Sequence, residues 1–276
     1  MRLLAIVGAG LVLCSSGCSR EQAPASQLLG QWVWTSRDSA LFIESRVARP
    51  ELRAAIWVAT LSRRGDALVT SLGRPIDATM GEGAEAVIRI DDSFSSLWET
   101  VPEDTLADRV AQRIARILPL IDPAPGSGEP ARTIQLDYDA PVARLGEYAR
   151  LIARLRAPRD GVLHARSFWV TSLVAHLADP QYGARLRPWV DGHILQLFDT
   201  GDRYDARAQR RVLARLASAR LPFRLGLGSF ERRLSTGITT HRAWFAIIPD
   251  ASRSRWYRGC WIFPAGRPYL SDLLPR

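Results

Sequence analysis

The chain has 276 residues, 47% of them hydrophobic and 24% charged, which is the composition of a globular protein with one large domain or two small ones. Its formal charge of +9 is the excess of 37 basic residues, all of them arginine, over 28 acidic ones, and the arginines are spread along the sequence rather than clustered. Because no helix-turn-helix, zinc-finger or RNA-binding signature accompanies this charge, we expect no nucleic-acid partner.

Residues 1–18 predict a targeting segment. Arg2 precedes an apolar run at 3–13, which has the length of a signal-peptide core and is too short to span a bilayer as a helix. Small residues then lead to Cys18, as in a bacterial lipobox, which predicts lipidation of Cys18 and a tether over 19–29. We therefore expect a membrane-anchored lipoprotein of the cell envelope, and Ser19 favours the outer membrane. Ordinary secretion with cleavage nearby is the alternative.

The rest of the chain alternates apolar strands with amphipathic helices, the pattern of parallel βαβ units. It predicts one domain over 30–276, a (β/α)8 TIM-barrel-like fold that becomes irregular toward the C-terminal end. An open doubly wound sheet is the alternative. The predicted strands lie at 31–34, 54–61, 86–90, 133–139, within 162–173, and at 194–198, 224–227, 243–248 and 260–263, with a short extra strand within 69–83. The predicted helices lie at 41–47, from 104 onward, and at 145–155, 185–190 and 205–221.

The segment 133–141 reads TIQLDYDAP, and its side chains alternate between apolar and polar. On a strand this alternation places Gln135, Asp137 and Asp139 on one face. Parallel barrels carry catalytic groups at the C-terminal ends of their strands, so this face predicts an active site. Two neighbouring carboxylates cannot easily both ionise, so the pKa of one of them rises. We predict Asp139, nearer the rim, as the proton donor, Asp137 as the group that tunes it, and Gln135 as support for the substrate. The alternative is a strand with one solvated face.

Acidic and amide side chains also end two other predicted strands. Asp91 follows the third strand and Asp199 follows the sixth, and both could bind substrate at the same mouth. Each is also a good helix cap or loop residue when it stands alone. Gln196 alternates with Ile194 and Phe198, which makes it a further candidate if that strand is buried on both sides.

Aromatic rings stack on sugar rings, so tryptophans on predicted strands indicate a carbohydrate partner. Trp34, Trp169 and Trp261 are the substrate-binding candidates, and core filling is the alternative for each.

Other reactive side chains give weaker signals. Cys260 lies between Gly259 and Trp261 in a predicted strand, which favours a packed cysteine over a nucleophile. The four histidines show no metal-ligand spacing, and no Gly-rich phosphate loop follows a strand, so we expect neither a metal nor a cofactor. Ser229 lacks the G-x-S-x-G elbow of serine hydrolases.

Three motifs give the chain a resemblance to a bacterial family of exported barrel proteins, domain of unknown function 3142. They are WVW at 32–34, QLDYDAP at 135–141 with the following LGEYARLIARLR helix, and HILQLFD at 193–199. The resemblance implies a barrel similar to chitinase-like glycoside hydrolases. In those enzymes the fourth strand carries alternating acids, and a terminal glutamate protonates the leaving group. Here Asp139 stands at the position of that glutamate.

The resemblance and the paired carboxylates together predict an exported protein that acts on an envelope or extracellular polysaccharide by acid catalysis. The missing glutamate leaves a second interpretation, a glycan-binding or envelope-assembly protein that keeps the fold without catalysis.

Overall fold

Eight parallel strands close into a barrel, and helices follow most of them on the outside. The computed structural model describes residues 28–76, 78–81, 83–122, 133–198, 205–234 and 237–264. Its strands are β1 (Leu28–Val33), β2 (Arg53–Arg64), β3 (Ala67–Leu72), β4 (Glu85–Ile90), β5 (Thr133–Asp137), β6 (Ser167–Leu173), β7 (Gly192–Gln196), β8 (Phe223–Gly228), β9 (Glu231–Leu234), β10 (Gly237–Thr240) and β11 (Tyr257–Phe263).

The barrel runs β1-β2-β4-β5-β6-β7-β8-β11 and closes where β11 pairs with β1. This closed parallel barrel confirms the predicted (β/α)8 fold. β3 lies outside the barrel circuit and pairs antiparallel with the C-terminal half of β2, while β9 and β10 form a separate hairpin after β8.

The helices begin and end where local chemistry requires. They are α1 (Ser36–Ala48), α2 (Leu97–Thr100), α3 (Glu103–Ile121), α4 (Leu145–Arg156), α5 (Tyr182–Leu186), α6 (Ala206–Ala219) and α7 (Ile248–Ala251). α1 starts with a capping box, in which Thr35 and Asp38 each accept a hydrogen bond from the other's backbone N–H. Asp205 caps α6 through the backbone N–H of Ala208. No helix among the described residues is long and apolar enough to cross a membrane.

Each barrel strand has two buried faces, which is why the strands read as nearly continuous apolar runs. Ala86, Ile88 and Ile90 of β4 belong to the large core cluster that includes the buried faces of the helices. Val87 belongs instead to a smaller cluster inside the barrel. The members of that inner cluster are Trp32, Ala55, Val87, Trp169, Ile194 and Trp261.

The predicted strand at 243–248 is wrong. A 3-10 helix, His241–Ile247, occupies this segment and leads into α7. A short apolar run fits a buried helix as well as a strand, and Pro249 lies in the first turn of α7, where proline is tolerated. The hairpin of β9 and β10 was not predicted, and two predicted elements are shorter than expected, since α5 ends at Leu186 rather than 190 and β5 ends at Asp137 rather than 139.

Candidate active site at the barrel mouth

A buried polar chain crosses the inside of the barrel. Arg224 on β8 donates through Nη1 to both carboxylate oxygens of Glu85 on β4, at 3.0 and 2.9 Å. The Nε2 atom of Gln135 donates to Glu85 Oε2 at 2.7 Å, and Trp32 Nε1 donates to Gln135 Oε1 at 2.8 Å. Four strands are therefore joined by four side chains in a region without water access, where unpaired polar groups would be costly.

These buried hydrogen bonds correct the substrate-binding role expected of Gln135. Its side chain is fully buried and both of its amide atoms are already hydrogen-bonded inside the barrel. Gln135 therefore holds strands together and does not contact a substrate.

Two of the predicted sugar-binding tryptophans belong to the barrel core. Trp169 is 5% exposed and lies under the guanidinium of Arg224, 3.7 Å from the ring centroid. Trp261 is 0% exposed. A Cβ at position 30 of the neighbouring strand β1 would lie 2.1 Å from the Trp261 ring, so only glycine fits at that position. A sugar cannot stack on either ring, and core filling, the alternative interpretation, describes both.

Asp137 is the carboxyl group that the barrel directs toward its mouth. It is the last residue of β5, and the amide Nε2 of Gln196 on β7 donates to its Oδ1 at 3.0 Å. Thr171 also hydrogen-bonds it, while the Thr171 Oγ1 accepts the backbone N–H of Tyr138 at 3.1 Å. Burial raises the pKa of Asp137, more than these hydrogen bonds and the charge of Arg89 lower it.

Asp139 lies two residues beyond the end of the strand and is exposed. Between the two acids, Tyr138 turns outward and places its hydroxyl 3.0 Å from Ser95 Oγ and 3.3 Å from Trp98 Nε1. The strand therefore does not extend to carry both acids, and burial, rather than a paired carboxylate at 139, is the main cause of the raised pKa of Asp137. The proton-donor role of Asp139 stays a prediction.

The remaining acidic candidates differ in their placement. Asp91 caps the short 3-10 helix that follows β4, because its Oδ1 accepts the backbone N–H of Ser93 at 2.9 Å, and this bonding lowers its pKa. The capping alternative therefore describes Asp91. Asp199 lies outside the described residues. Asp92, which follows Asp91 and is exposed, adds a smaller electrostatic increase to the pKa of Asp137.

Aromatic rings surround the mouth above the inner core. Trp34 is half-buried and stacks on Trp57, with ring centroids 5.8 Å apart. Phe198 stacks on Phe263 at 5.4 Å, and Phe230 meets both rings edge-on. Among the sequence candidates, Trp34 is the tryptophan that lies at this level.

Sequence reasoning missed most of the aromatic side chains at the mouth, although the sequence contains a signal for them. Trp34, Phe198 and Phe263 each come two residues after an inward side chain: Trp32, Gln196 and Trp261. Alternation therefore marks them as the next inward position along their strands.

Cys260 and His193 are both buried in the protein. Cys260 is buried and burial raises its pKa to about 12, so its thiol stays protonated and unreactive. His193 is buried beside Ser172, and burial lowers its pKa to about 3. Within the described residues, no three histidine, cysteine or acidic side chains are placed to hold a metal ion.

The raised pKa of Asp137 predicts a pH-dependent effect on stability. In the unfolded chain this carboxyl ionises near its ordinary pKa of about 3.9, whereas in the folded protein it ionises at higher pH. Between these values the folded state binds more protons than the unfolded state, so the free energy of unfolding falls as pH rises.

Asp137→Asn removes this loss. We expect thermal denaturation to show similar melting temperatures for wild type and variant below about pH 3.9, and a variant that is increasingly the more stable as pH rises. A difference that stays constant with pH would contradict the raised pKa.

Comparison with known proteins shows the fold. Neither the models of known protein families nor the sequences of curated proteins match this chain. Among solved structures it is similar to the spore cortex-lytic enzyme SleL of Bacillus megaterium QM B1551 (10% identity, 87% of this chain and 71% of that one, TM-score 0.52). It is also similar to the xylanase and α-amylase inhibitor protein XAIP-II of Scadoxus multiflorus (12%, 88% and 94%, 0.53). A family 18 chitinase from Crocus vernus matches at 9% identity, over 86% and 92%, with a TM-score of 0.51. The chain therefore has the barrel fold of glycoside-hydrolase-like proteins.

Proposed function

We propose that the protein acts on a polysaccharide at the mouth of its barrel by acid catalysis, with Asp137 as the proton donor. The observation that carries the proposal is the position of Asp137, which lies at the C-terminal end of the fourth barrel strand, faces inward and has a raised pKa. A general acid works best when its pKa lies near the working pH, and burial moves this carboxyl in that direction.

Two further features support a glycan as the substrate. Stacked aromatic rings lie at the barrel mouth, and aromatic faces suit the apolar faces of sugar rings. SleL is named as a spore cortex-lytic enzyme and the Crocus protein as a chitinase, and both share the barrel fold. These names favour a cell-envelope glycan as the substrate class to test first for this protein.

The alternative is a barrel that binds glycans or proteins of the envelope without catalysis. The inhibitor protein XAIP-II has the same fold, so the fold by itself does not imply an enzyme. The aspartate at 139, where chitinase-like glycoside hydrolases have a glutamate, also favours this alternative.

A screen of the purified protein against envelope and extracellular glycans separates the two functions. New reducing ends or shortened chains would show turnover, while co-sedimentation of the protein with an unchanged polymer would show binding alone. Turnover that Asp137→Asn abolishes supports the proposal, and binding without any turnover identifies the non-catalytic barrel.

We further propose that the mature protein is anchored through a lipid on Cys18 and faces the periplasm, as the sequence pattern at 1–18 predicts. Membership in the family of domain of unknown function 3142 is part of the same proposal.

Metabolic labelling with a clickable fatty acid tests the anchor. We expect wild type to be labelled and to fractionate with outer membranes, and Cys18→Ala to lose the label. Equal labelling of Cys18→Ala would show that the lipid, if any, is attached elsewhere.

A further inference from the structure

Arg89 holds a guanidinium at the barrel mouth beside the proposed acid. It is the last inward residue of β4, since its neighbours Ile88 and Ile90 belong to the outer core. In the strand register it lies opposite Asp137 on β5. Its side chain is half-buried, and the guanidinium carbon lies 5.4 Å from the centroid of the Trp34 ring.

This guanidinium has no bonded partner among the residues that the structure describes. Neither a hydrogen bond nor a salt bridge joins it to Asp137, whose Oδ1 accepts the Gln196 amide, or to Asp91, whose Oδ1 accepts the Ser93 backbone. The Nε1 atom of Trp34 is also buried and unpartnered within the described part of the chain. A guanidinium has five N–H donors in a rigid fork, so Arg89 can donate to an acceptor that enters the mouth.

The other arginine inside the barrel shows the contrast. Arg224 also lies over a tryptophan ring, but it donates two bonds to Glu85 and its charge is compensated. Arg89 is attracted to Asp137 and Asp91 only at longer range. Unlike Arg224, Arg89 therefore has no bonded counter-ion within the described part of the chain, and its N–H donors remain open to a ligand.

We propose that Arg89 binds an anionic substituent of the glycan, a carboxylate or a sulfate, so that the substrate is an acidic polysaccharide. The inference deepens the proposed function and rests on it. The planar fork of arginine matches the paired oxygens of these groups, and the Trp34 ring holds the fork in place from one side. Because Arg89 and Asp137 are neighbours in register, a sugar that binds Arg89 through its anionic group presents its glycosidic oxygen near the acid.

The test uses small sugars and the indole N–H signal of Trp34, assigned by Trp34→Phe in protein labelled with 15N at its tryptophans. Sodium glucuronate, glucose 6-sulfate and glucose are titrated at equal ionic strength. We expect saturable shifts of the Trp34 signal with one or both anionic sugars and little change with glucose. The arm that responds identifies the substituent.

Two variants assign the effect to Arg89. Arg89→Gln should weaken binding of the anionic sugar at least about tenfold, because it removes charge-assisted hydrogen bonds. Arg210→Gln removes the same charge from the exposed surface of α6 and should leave binding unchanged.

Equal responses to glucose and to the anionic sugars, no response to any of them, or unchanged binding by Arg89→Gln would overturn the inference. Those results leave acid catalysis by Asp137 intact if a neutral glycan is turned over. Conversely, selective binding of an anionic sugar together with no turnover of any glycan would keep the inference and reject the catalytic proposal.

Discussion

Replacing Glu85 by glutamine is expected to lower the free energy of unfolding by about 3–5 kcal/mol, because it leaves a buried guanidinium without its counter-charge. The side chains of Glu85 and Arg224 are 2% and 9% exposed, so water cannot replace the lost carboxylate. Burial lowers the pKa of Arg224 and Glu85 opposes that effect, so loss of the carboxylate leaves the desolvation cost of the guanidinium without compensation. Arg224→Met should lower the free energy of unfolding by a similar amount, because it leaves the buried carboxylate of Glu85 without its counter-charge.

The double variant Glu85→Gln with Arg224→Met should be less destabilised than the sum of the two single variants. It removes both charges, keeps an acceptor for the Gln135 amide, and places an adaptable apolar side chain on Trp169. Urea unfolding followed by tryptophan fluorescence measures all three free energies.

A surface pair provides the matched control. Arg144 and Glu147 form a salt bridge of 3.1 Å with 35% and 25% of their side chains exposed. Glu147→Gln should change stability by no more than about 1 kcal/mol. Two results would show that the buried hydrogen-bond network does not hold the barrel together. One is additive effects in the Glu85 and Arg224 double variant, and the other is a change in the free energy of unfolding by Glu85→Gln as small as that by Glu147→Gln.

Asp137→Asn is expected to lower turnover of the glycan by about 10²–10⁴-fold, the usual contribution of a general acid. Asparagine keeps the shape of the side chain and the oxygen that accepts the Gln196 amide, but it has no proton to donate. In the wild type, activity should fall as pH rises through the pKa of Asp137, since only the protonated carboxyl can act.

Asp139→Asn is the matched comparison, because the sequence motif favours Asp139 as the acid and the structure favours Asp137. If Asp137 is the donor, Asp139→Asn should keep the alkaline limb of the pH profile and lose less activity. The reverse pattern, with turnover retained in Asp137→Asn, would assign the proton to Asp139.

Both variants should be compared in binding as well as turnover. Loss of turnover with glycan binding retained identifies a catalytic step, whereas parallel loss of both would indicate that the mouth has been distorted. The melting temperatures of the same variants check that each remains folded.

The order of strands and helices, and hence the barrel, could be predicted from the sequence because it depends on local periodicity. The apolar alternation at 133–137 and the helical spacing of Leu106, Val110 and Ile114 follow from the chain's own geometry. The same alternation correctly turned Gln135 and Asp137 to one face. Where the run was short and apolar, as at 243–248, periodicity could not distinguish a strand from a helix, and the prediction was wrong.

Depth along the barrel axis was decided by the tertiary structure alone. Period two assigns Trp32 and Trp34 to the same face, and likewise Trp261 and Phe263, but it does not say which level of the barrel each occupies. That level depends on the register between neighbouring strands, which closure of the barrel fixes. Trp261 is therefore core, whereas Phe263 and Trp34 lie at the mouth.

Partners far apart in sequence were likewise invisible until the barrel closed. Glu85 and Arg224 are 139 positions apart, and Asp137 and Gln196 are 59 apart. Nothing local in the sequence specifies such pairs, because each residue reads equally well as a surface charge or amide. Alternation in the sequence by itself indicated which side chains of a regular strand share the inward face, although it also assigned Asp139 to that face and β5 ends at Asp137. Strand register and barrel closure decided which of the inward side chains are buried as structural pairs and which of them, such as Asp137 and Arg89, face the mouth.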